Sequence, residues 1–395
     1  MGVARALAAS GRARADRARR LVRRVVRTGA RPVARVPGTR DARLPRRSRG
    51  APRRWPPHGV AHRRARRLLR RHPRRRGGAR LERGPAGAPV ARCSWGSSVN
   101  RSERTAYLTL RAAEWLSMRV PRSAGLWGTG LYHRMSLNRS QAVRATVEAN
   151  LARVLGHPPE SPIVQSATRE CFRLYGRYWY ETFALRSMPP EEVDRRFEID
   201  GVEHLDAGLA RGGGVIAALP HMGNWDAAGH WLALHGYRMA AVAEELKPQE
   251  AFDLFLRHRR ALGMRIVPLG EGRNVAGTLV ELLAQNHVIT LVADRDLTGR
   301  GVPVEMFGAP RLLPAGPALL SLSTGAPLCV AAVFTTEVGW RCRIGEPLTV
   351  ERTGKMRTDV AALTQLVGAA FERSISEAPA DWHMFQPAWE DGLAS

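Results

Sequence analysis

The sequence predicts an α/β protein with a central, mostly parallel or mixed sheet flanked by helices. N-terminal helices precede this sheet, and a disordered basic leader precedes the helices. Three observations predict this order: an arginine-rich first hundred residues, then helical patterning, and from Phe197 onward short apolar runs that alternate with amphipathic segments. Such alternation is typical of helices packed on both faces of a sheet.

The first hundred residues differ sharply in composition from the rest. They contain thirty Arg, no Lys and only three acidic residues, so they account for the whole net charge of +27. Their only aromatic residues are Trp55 and Trp95, and Pro and Gly recur throughout. Such a segment cannot bury enough apolar surface to offset chain entropy. We therefore expect a disordered leader over 1–100 and a single domain over 101–395.

Two interpretations of the leader remain open. Dense Arg binds the phosphates of nucleic acids or anionic lipids. Alternatively, the Arg-Ala-Pro-Gly monotony is what a GC-rich gene yields upstream of a misassigned start codon, and we favour this second interpretation. The balanced charge of residues 101–395 argues against a nucleic-acid-binding domain, so no specific nucleic acid partner is expected.

The remaining composition limits the classes of protein. No apolar run approaches the roughly 18–20 residues of a spanning helix, so we expect a soluble or peripheral protein. The four Cys residues are far apart and form no Cys-x-x-Cys motif. This favours a reducing compartment and predicts no structural metal site.

Periodicity places the elements along the chain. The leading helices are predicted at Thr105–Arg119, Asn138–Leu155 and Ser166–Leu185. Six apolar runs predict strands at Val215–Leu219, Met239–Val242, Ile266–Pro268, Val288–Val292, Leu328–Phe334 and Cys342–Ile344. The segments between and after them predict helices at Trp225–His235, Pro248–Leu262, Val275–Gln285, Ala315–Ser323 and Thr358–Glu377.

The most informative segment is Pro220–Asp226, which directly follows the predicted strand Val215–Leu219. It places His221 at the carboxyl end of the strand, where active sites of open α/β sheets lie. Asp226 follows at the start of the next predicted helix. A carboxylate beside an imidazole holds its tautomer and stabilises its charged form. This arrangement predicts a general base that removes a proton from a hydroxyl group.

The spacing alone leaves a second interpretation open. His221 can be an ordinary loop histidine, and Asn224 or Asp226 can simply cap the following helix, where a carboxylate suits the positive end of the dipole.

The wider sequence resembles a known family. His-x4-Asp after a strand is the signature shared by glycerolipid acyltransferases and lipid A lauroyl/myristoyl acyltransferases, and Leu219–Asp226 is similar to phosphatidylinositol mannoside acyltransferases of actinobacteria. The similarity extends in order from about Arg104 to Trp389. Its other matching blocks are Ala243–Pro248, Arg259 before Gly263-Met264, Ala293–Leu297, Glu305–Gly308, Leu313–Pro317 and Asp381–Pro387.

The resemblance implies a reaction and roles for two residues. It implies direct attack of a hydroxyl group on acyl-CoA, a co-substrate, with no acyl-enzyme, cofactor or metal. His221 is then the general base. Asp226 is expected to accept a hydrogen bond from its other ring nitrogen.

Four further residues are predicted to bind substrate: Glu244, Arg259, Asp294 and Arg295. Each also has a simpler interpretation, as a surface acid, a solvated charge or part of an internal salt bridge. Glu244 can bind sugar hydroxyls, and Arg259 can orient Glu244 or Asp294 or meet a phosphate. Arg295 and Arg311 suit coenzyme A phosphates, because guanidinium groups bind them bidentately.

We therefore expect a peripheral enzyme on the cytoplasmic face of the cell membrane. It would transfer a long-chain fatty acyl group from acyl-CoA to a mannose hydroxyl of a phosphatidylinositol mannoside. The alternatives are an acyltransferase for lipid A or another glycolipid, a nucleic-acid-binding protein that uses the basic arm, and a non-catalytic scaffold of the same fold.

Overall fold

A computed structural model describes residues 101–139, 141–245, 248–270, 274–296 and 299–389. The predicted leader over 1–100 lies outside these residues, and so does the C-terminal end of the predicted domain, 390–395.

The N-terminal part of the described chain is helical. Its helices are α1 Arg101–Ser117, α2 Arg122–Arg139, α3 Gln141–Leu155, α4 Pro162–Ala184 and α5 Pro190–Arg196. The helix α4 begins where Ser161 caps it, because the Ser161 side chain accepts a hydrogen bond from the backbone N–H of Val164. Among the described residues, no helix combines the length and the hydropathy that are needed to cross a bilayer.

Strands and helices alternate after α5. The first half contains β1 Phe197–Asp200, α6 Val202–Leu209, β2 Val215–Leu219, α7 Trp225–Leu234, β3 Met239–Glu244, α8 Gln249–Ala261 and β4 Arg265–Leu269. The second half contains α9 Val275–Ala284, β5 Val288–Val292, β6 Val302–Met306, β7 Ala309–Leu313, α10 Gly316–Thr324, β8 Leu328–Thr335, β9 Trp340–Ile344 and α11 Met356–Glu377.

Seven of these strands form one sheet in the order β1-β9-β8-β2-β5-β3-β4. Every neighbouring pair is parallel except β8 and β9, which are antiparallel. The predicted fold class, a mostly parallel or mixed sheet with flanking helices and leading N-terminal helices, is therefore confirmed for the described residues.

The central strand β2 shows why both faces of the sheet are covered. All five of its residues are buried. Ile216 and Ala218 belong to the core shared with α9, α10 and α11, whereas Val215, Ala217 and Leu219 belong to the core shared with α6 and α7. Successive side chains of a strand point to opposite faces, so a strand buried on both faces reads as a continuous apolar run.

The hairpin formed by β6 and β7 was not predicted. Its two-residue loop consists of Phe307 and Gly308, and both have positive φ values, 52° and 72°. A type I′ turn needs positive φ at both central residues, and Asn-Gly or Asp-Gly usually occupies these positions. Phe is uncommon there, so the turn signal was hidden. The sequence also missed β1, α2, α5 and α6, and the helix predicted over Asn138–Leu155 begins instead at Gln141.

Candidate active site

The candidate site lies where the central strands β2 and β5 end. Leu219 and Val292 are opposite each other in register, and the Ala293 N–H donates to the Leu219 carbonyl at 2.8 Å. His221 follows β2 by two residues, and Asp294 follows β5 by two residues. Parallel pairing therefore brings these residues together, although 73 positions separate them in the sequence.

His221 and Asp294 are joined twice. The backbone N–H of His221 donates to Asp294 Oδ2 at 2.9 Å, and the ring atom His221 Nδ1 lies 2.5 Å from Asp294 Oδ1. An ionised carboxylate only accepts hydrogen bonds, so Nδ1 carries the proton. Nε2 of the neutral ring therefore has a free lone pair. The His221 side chain is 27% exposed, which leaves this ring open to a substrate.

Asp294 is held ionised although it is fully buried. Burial on its own would raise its pKa, but once His221 is protonated its charge and its hydrogen bonds, together with one from Trp382 Nε1 at 2.8 Å, lower the pKa to about 2. A carboxylate in this state keeps the imidazole in one orientation and stabilises the imidazolium that forms when His221 takes up a proton.

The expected hydrogen bond between His221 and Asp226 is absent, and this prediction was wrong. Asp226 instead accepts from Arg259 Nε at 2.6 Å, Arg259 Nη2 at 3.1 Å and the Tyr178 hydroxyl at 3.0 Å. The alternative role of Asp226 as helix cap is not seen either, because Asn224 caps α7 by accepting from the N–H of Ala227.

Asp226 and Arg259 form an ion pair in which Asp226 is buried and Arg259 is 20% exposed. Burial on its own would raise the pKa of Asp226, but the charge of Arg259 and its hydrogen bonds lower it. Burial likewise opposes the charge of Arg259, and Asp226 raises the pKa of Arg259 above its usual value. The predicted contacts of Arg259 with Glu244 or Asp294 are not observed, because Asp226 occupies the guanidinium group.

Glu244 and Arg295 form an ion pair at the same edge of the sheet. Glu244 ends β3 and Arg295 follows Asp294 after β5, and Arg295 Nη2 lies 2.7 Å from Glu244 Oε2. Glu244 is half exposed and Arg295 is partly exposed. The pair is therefore accessible at the rim of the site.

The segment Trp382-His383, near the end of the described chain, packs against the site. The N–H of His383 donates to the His221 carbonyl at 2.7 Å, and Met222 forms a β-bridge with Trp382. Gly223 has a φ of 59°, and a Cβ there would come within 2.1 Å of the Val333 carbonyl. Only Gly fits this tight passage.

The ring of His383 lies in an aromatic cluster beside His221. It contacts the rings of Tyr175, Tyr178 and Trp225, and the rings of Trp225 and His221 form a T-shaped pair with 5.7 Å between ring centres. Burial and the nearby His221 lower the pKa of His383 to about 3, so its ring is neutral.

An apolar cavity of about 70 Å³ lies between α7 and the sheet. Small side chains such as Ala217, Ala241 and Ala331 form its floor, and Asp226 and Arg259 are among its few polar neighbours. Ligand pockets usually reach about 300–1,000 Å³. This cavity is therefore much smaller than an ordinary ligand pocket.

Sequence reasoning missed two donors and misjudged a third. Trp382 and Tyr178 were treated as family motif and core, yet Trp382 donates to the buried carboxylate of Asp294 and Tyr178 to that of Asp226. Buried Trp and Tyr usually need a hydrogen-bond partner, and that signal could have found them. Arg311, a candidate for binding coenzyme A, is buried against the backbone of Asp294 instead.

This fold, with a His-x4-Asp segment after its central strand, fits the acyltransferase class that the sequence resembles. A family model described as bacterial lipid A biosynthesis acyltransferase matches residues 107–391, and the chain belongs to that family. It is an acyltransferase.

Curated relatives within this family share one name. A phosphatidylinositol mannoside acyltransferase of Mycobacterium tuberculosis is 42% identical over 246 residues, which cover 61% of this chain and 75% of the relative. A protein of the same name from Mycolicibacterium smegmatis is 36% identical over 282 residues, covering 70% of this chain and 90% of the relative. The resemblance noted in the sequence is confirmed.

Proposed function

We propose that this enzyme transfers a long-chain acyl group from acyl-CoA to a mannose hydroxyl of a phosphatidylinositol mannoside, with His221 as the general base. The observation that carries this proposal is the contact of His221 Nδ1 with the buried Asp294 carboxylate, which leaves Nε2 to accept a proton. The names of the relatives support the acceptor.

The proposed mechanism needs no nucleophile from the protein. Nε2 of His221 takes the proton of the acceptor hydroxyl while the hydroxyl oxygen attacks the thioester carbonyl carbon. The tetrahedral intermediate collapses, the carbon–sulfur bond breaks, and the imidazolium returns its proton to the leaving thiolate. Asp294 stays ionised throughout and stabilises the imidazolium. In this mechanism Asp294 replaces Asp226 as the partner of the base.

The Glu244–Arg295 pair is proposed to bind the polar substrate groups. It lies at the strand ends beside Asp294, where ligands of open α/β sheets bind. Glu244 accepts hydrogen bonds from sugar hydroxyls, and Arg295 suits phosphate oxygens. Arg259 has no such role in this proposal, because its guanidinium is committed to Asp226.

A surface on α1 and α2 supports binding to a membrane, on whose cytoplasmic face we place the enzyme. One face of α1 packs Tyr107 and Leu110 against the core, whereas the opposite face exposes Leu108 and Trp115. Trp127 on α2 is 74% exposed. Such exposed apolar residues are typical of helices that lie in a bilayer interface.

Arginine accompanies this apolar surface. The guanidinium of Arg119 lies 4.5 Å from the centre of the Trp115 ring, and Arg111 is also exposed. Basic residues near the interface attract anionic lipids. We expect Trp115→Ala with Trp127→Ala to weaken sedimentation with anionic vesicles several-fold, whereas Val338→Ala, at an exposed apolar residue elsewhere, leaves it unchanged.

The proposed reaction is tested with the purified full chain, palmitoyl-CoA and phosphatidylinositol mannoside. Thiol release and the mass of the product are followed for the wild type, for His221→Ala and for His235→Ala as the matched control at the far end of α7. We expect acceptor-dependent release, lowered about 10³-fold by His221→Ala only.

Two outcomes would contradict the proposal. Release that persists in His221→Ala would exclude the histidine base. An acceptor preference for a lipid A precursor or another glycolipid would keep the chemistry and replace the substrate.

A further inference from the structure

Arg311 is a charged residue in the middle of an apolar strand face. The alternation of β7 places it on the same buried face as Ala309 and Leu313, and it is only 6% exposed. A guanidinium does not lose its proton in proteins, and burying a charge is costly unless it is compensated. A core position of this kind therefore requires a compensating partner.

The contacts of Arg311 converge on Asp294 and the tryptophans around it. Arg311 Nη2 donates to the backbone carbonyl of Asp294 at 2.5 Å. Its guanidinium carbon lies 5.7 Å from the ring centre of Trp382 and 5.1 Å from that of Trp389. Trp382 also donates to the Asp294 carboxylate. Arg311 thus fixes the position of Asp294, which in turn fixes the ring of His221.

Arg311 makes no ion pair with a carboxylate in the described part of the chain, so its charge is not neutralised by direct contact. Burial lowers the pKa of Arg311, and the negative charge of Asp294 opposes this effect. Because Coulomb attraction is mutual, the charge of Arg311 also favours the ionised form of Asp294, although no ion-pair contact joins the two charged groups.

The resting state of the site shows why this matters. His221 is neutral before it takes up a proton, so it then offers Asp294 a hydrogen bond and no charge. A fully buried carboxylate without a nearby cation tends to keep its own proton. A protonated Asp294 could no longer stabilise the imidazolium.

We propose that Arg311 is a positioning residue that keeps Asp294 ionised and in place while His221 is neutral. The inference rests on the proposed role of His221 as the base. Arg311 exchanges no proton and touches no substrate. Its contribution is a fixed positive charge behind the His221–Asp294 pair.

Other titratable groups on neighbouring elements do not supply this charge. His383 is neutral. Arg259 on α8 is paired with Asp226 on α7, and Arg295 is paired with Glu244 at the end of β3.

The test compares Arg311→Met, which removes the charge, with Arg311→Lys, which keeps it. We expect Arg311→Met to lower kcat about 10–100-fold, with the acceptor KM within about twofold. The acidic limb of the kcat/KM profile should move to higher pH by about one unit, since losing a nearby cation favours protonation of the pair. Arg311→Lys should return the limb to its wild-type position. Arg343→Met, at an exposed arginine of β9, is the matched control.

An activity-independent readout separates this inference from the proposed function. In histidine-labelled protein, the ring nitrogen signals of His221 should titrate at higher pH in Arg311→Met than in the wild type, whether or not the acceptor has been identified correctly. Coincident titrations with a lowered thermal midpoint would overturn the inference and leave Arg311 a merely structural residue.

Arg311→Gln decides the matter if Arg311→Met does not fold, because its amide can still donate to the Asp294 carbonyl but carries no charge. The His221 titration should again lie at higher pH than in the wild type. A titration that coincides with that of the wild type would contradict Arg311 as the source of the charge.

Discussion

Asp226 and Asp294 are two buried carboxylates at the same edge of the protein, and they have opposite kinds of partner. Asp226, at the start of α7, is bound by the permanently charged guanidinium of Arg259. Asp294, after β5, is bound by the imidazole of His221, whose charge can change. Removing one partner of a fixed buried ion pair destabilises the fold, whereas a carboxylate paired with a titratable ring can respond to a proton. The partner, more than burial, therefore distinguishes a structural carboxylate from a catalytic candidate.

The largest expected effect that distinguishes Asp294 from Asp226 is the loss of activity in Asp294→Asn. An amide can donate to His221 Nδ1 and so favour the tautomer that carries its proton on Nε2, where the base must be free. We expect kcat to fall about 10³–10⁴-fold. Acyl transfer per folded molecule measures this effect, and Asp226→Asn serves as the control. Equal losses in the two variants would remove the distinction between the carboxylates.

The second expected effect is a loss of stability in Asp226→Asn. Arg259 would remain largely buried without its counter-charge, which costs about 3 kcal/mol in the free energy of unfolding. Urea unfolding measures this change. The matched control is Glu170→Gln, which breaks the exposed pair with Arg173 and should change stability by less than about 1 kcal/mol. Similar unfolding curves for both variants would show that the Asp226 pair is not structural.

A third buried carboxylate, Asp381, sharpens the comparison because no cation contacts it among the described residues. Its Oδ2 accepts from the N–H of Thr335 at 2.9 Å, and burial raises its pKa to about 6. Because the pKa of Asp381 is higher in the folded protein than in the unfolded chain, its contribution to folding stability is full below about pH 4. This contribution is lost as the pH rises through 6. Asp294 behaves in the opposite way, because its contribution is present above about pH 4 and is lost as the pH falls towards 2.

The smallest expected effect is the pH dependence of folding stability that Asp381 causes. Between about pH 4 and 7, the wild type should lose roughly 2–3 kcal/mol of stability through Asp381, at about 1.4 kcal/mol per pKa unit. Asp381→Asn should remove that loss. The difference between the two unfolding free energies, measured at several pH values, isolates the contribution of this group. Parallel curves would show that Asp381 ionises as freely in the folded protein as in the unfolded chain.

The sequence was sufficient for six of the seven strands of the sheet, all except β1, because their signals are local. The continuous apolar runs of β2 and β5 marked central strands within a residue of their observed ends. The β6–β7 hairpin was not predicted, because a Phe residue does not indicate the positive φ that Phe307 adopts in the turn.

The site was predicted only in part for a different reason. His221 and Asp294 were each recognised at a strand end, but the sequence favoured the carboxylate five positions away as the partner. Their contact depends on β2 pairing directly with β5, a long-range choice that local patterns do not record. The direction in which Asp226 points was fixed by α8, which carries Arg259.

The segment that carries Trp382 and His383 joins parts of the site that the ribosome makes at different times. His221 and Asp294 leave the ribosome early, yet the hydrogen bonds of Trp382 with Asp294 and of His383 with His221 require residues made much later. A nascent chain that has not reached residue 383 therefore lacks part of its site. A truncation before residue 382 would therefore remove the indole donor of the Asp294 carboxylate.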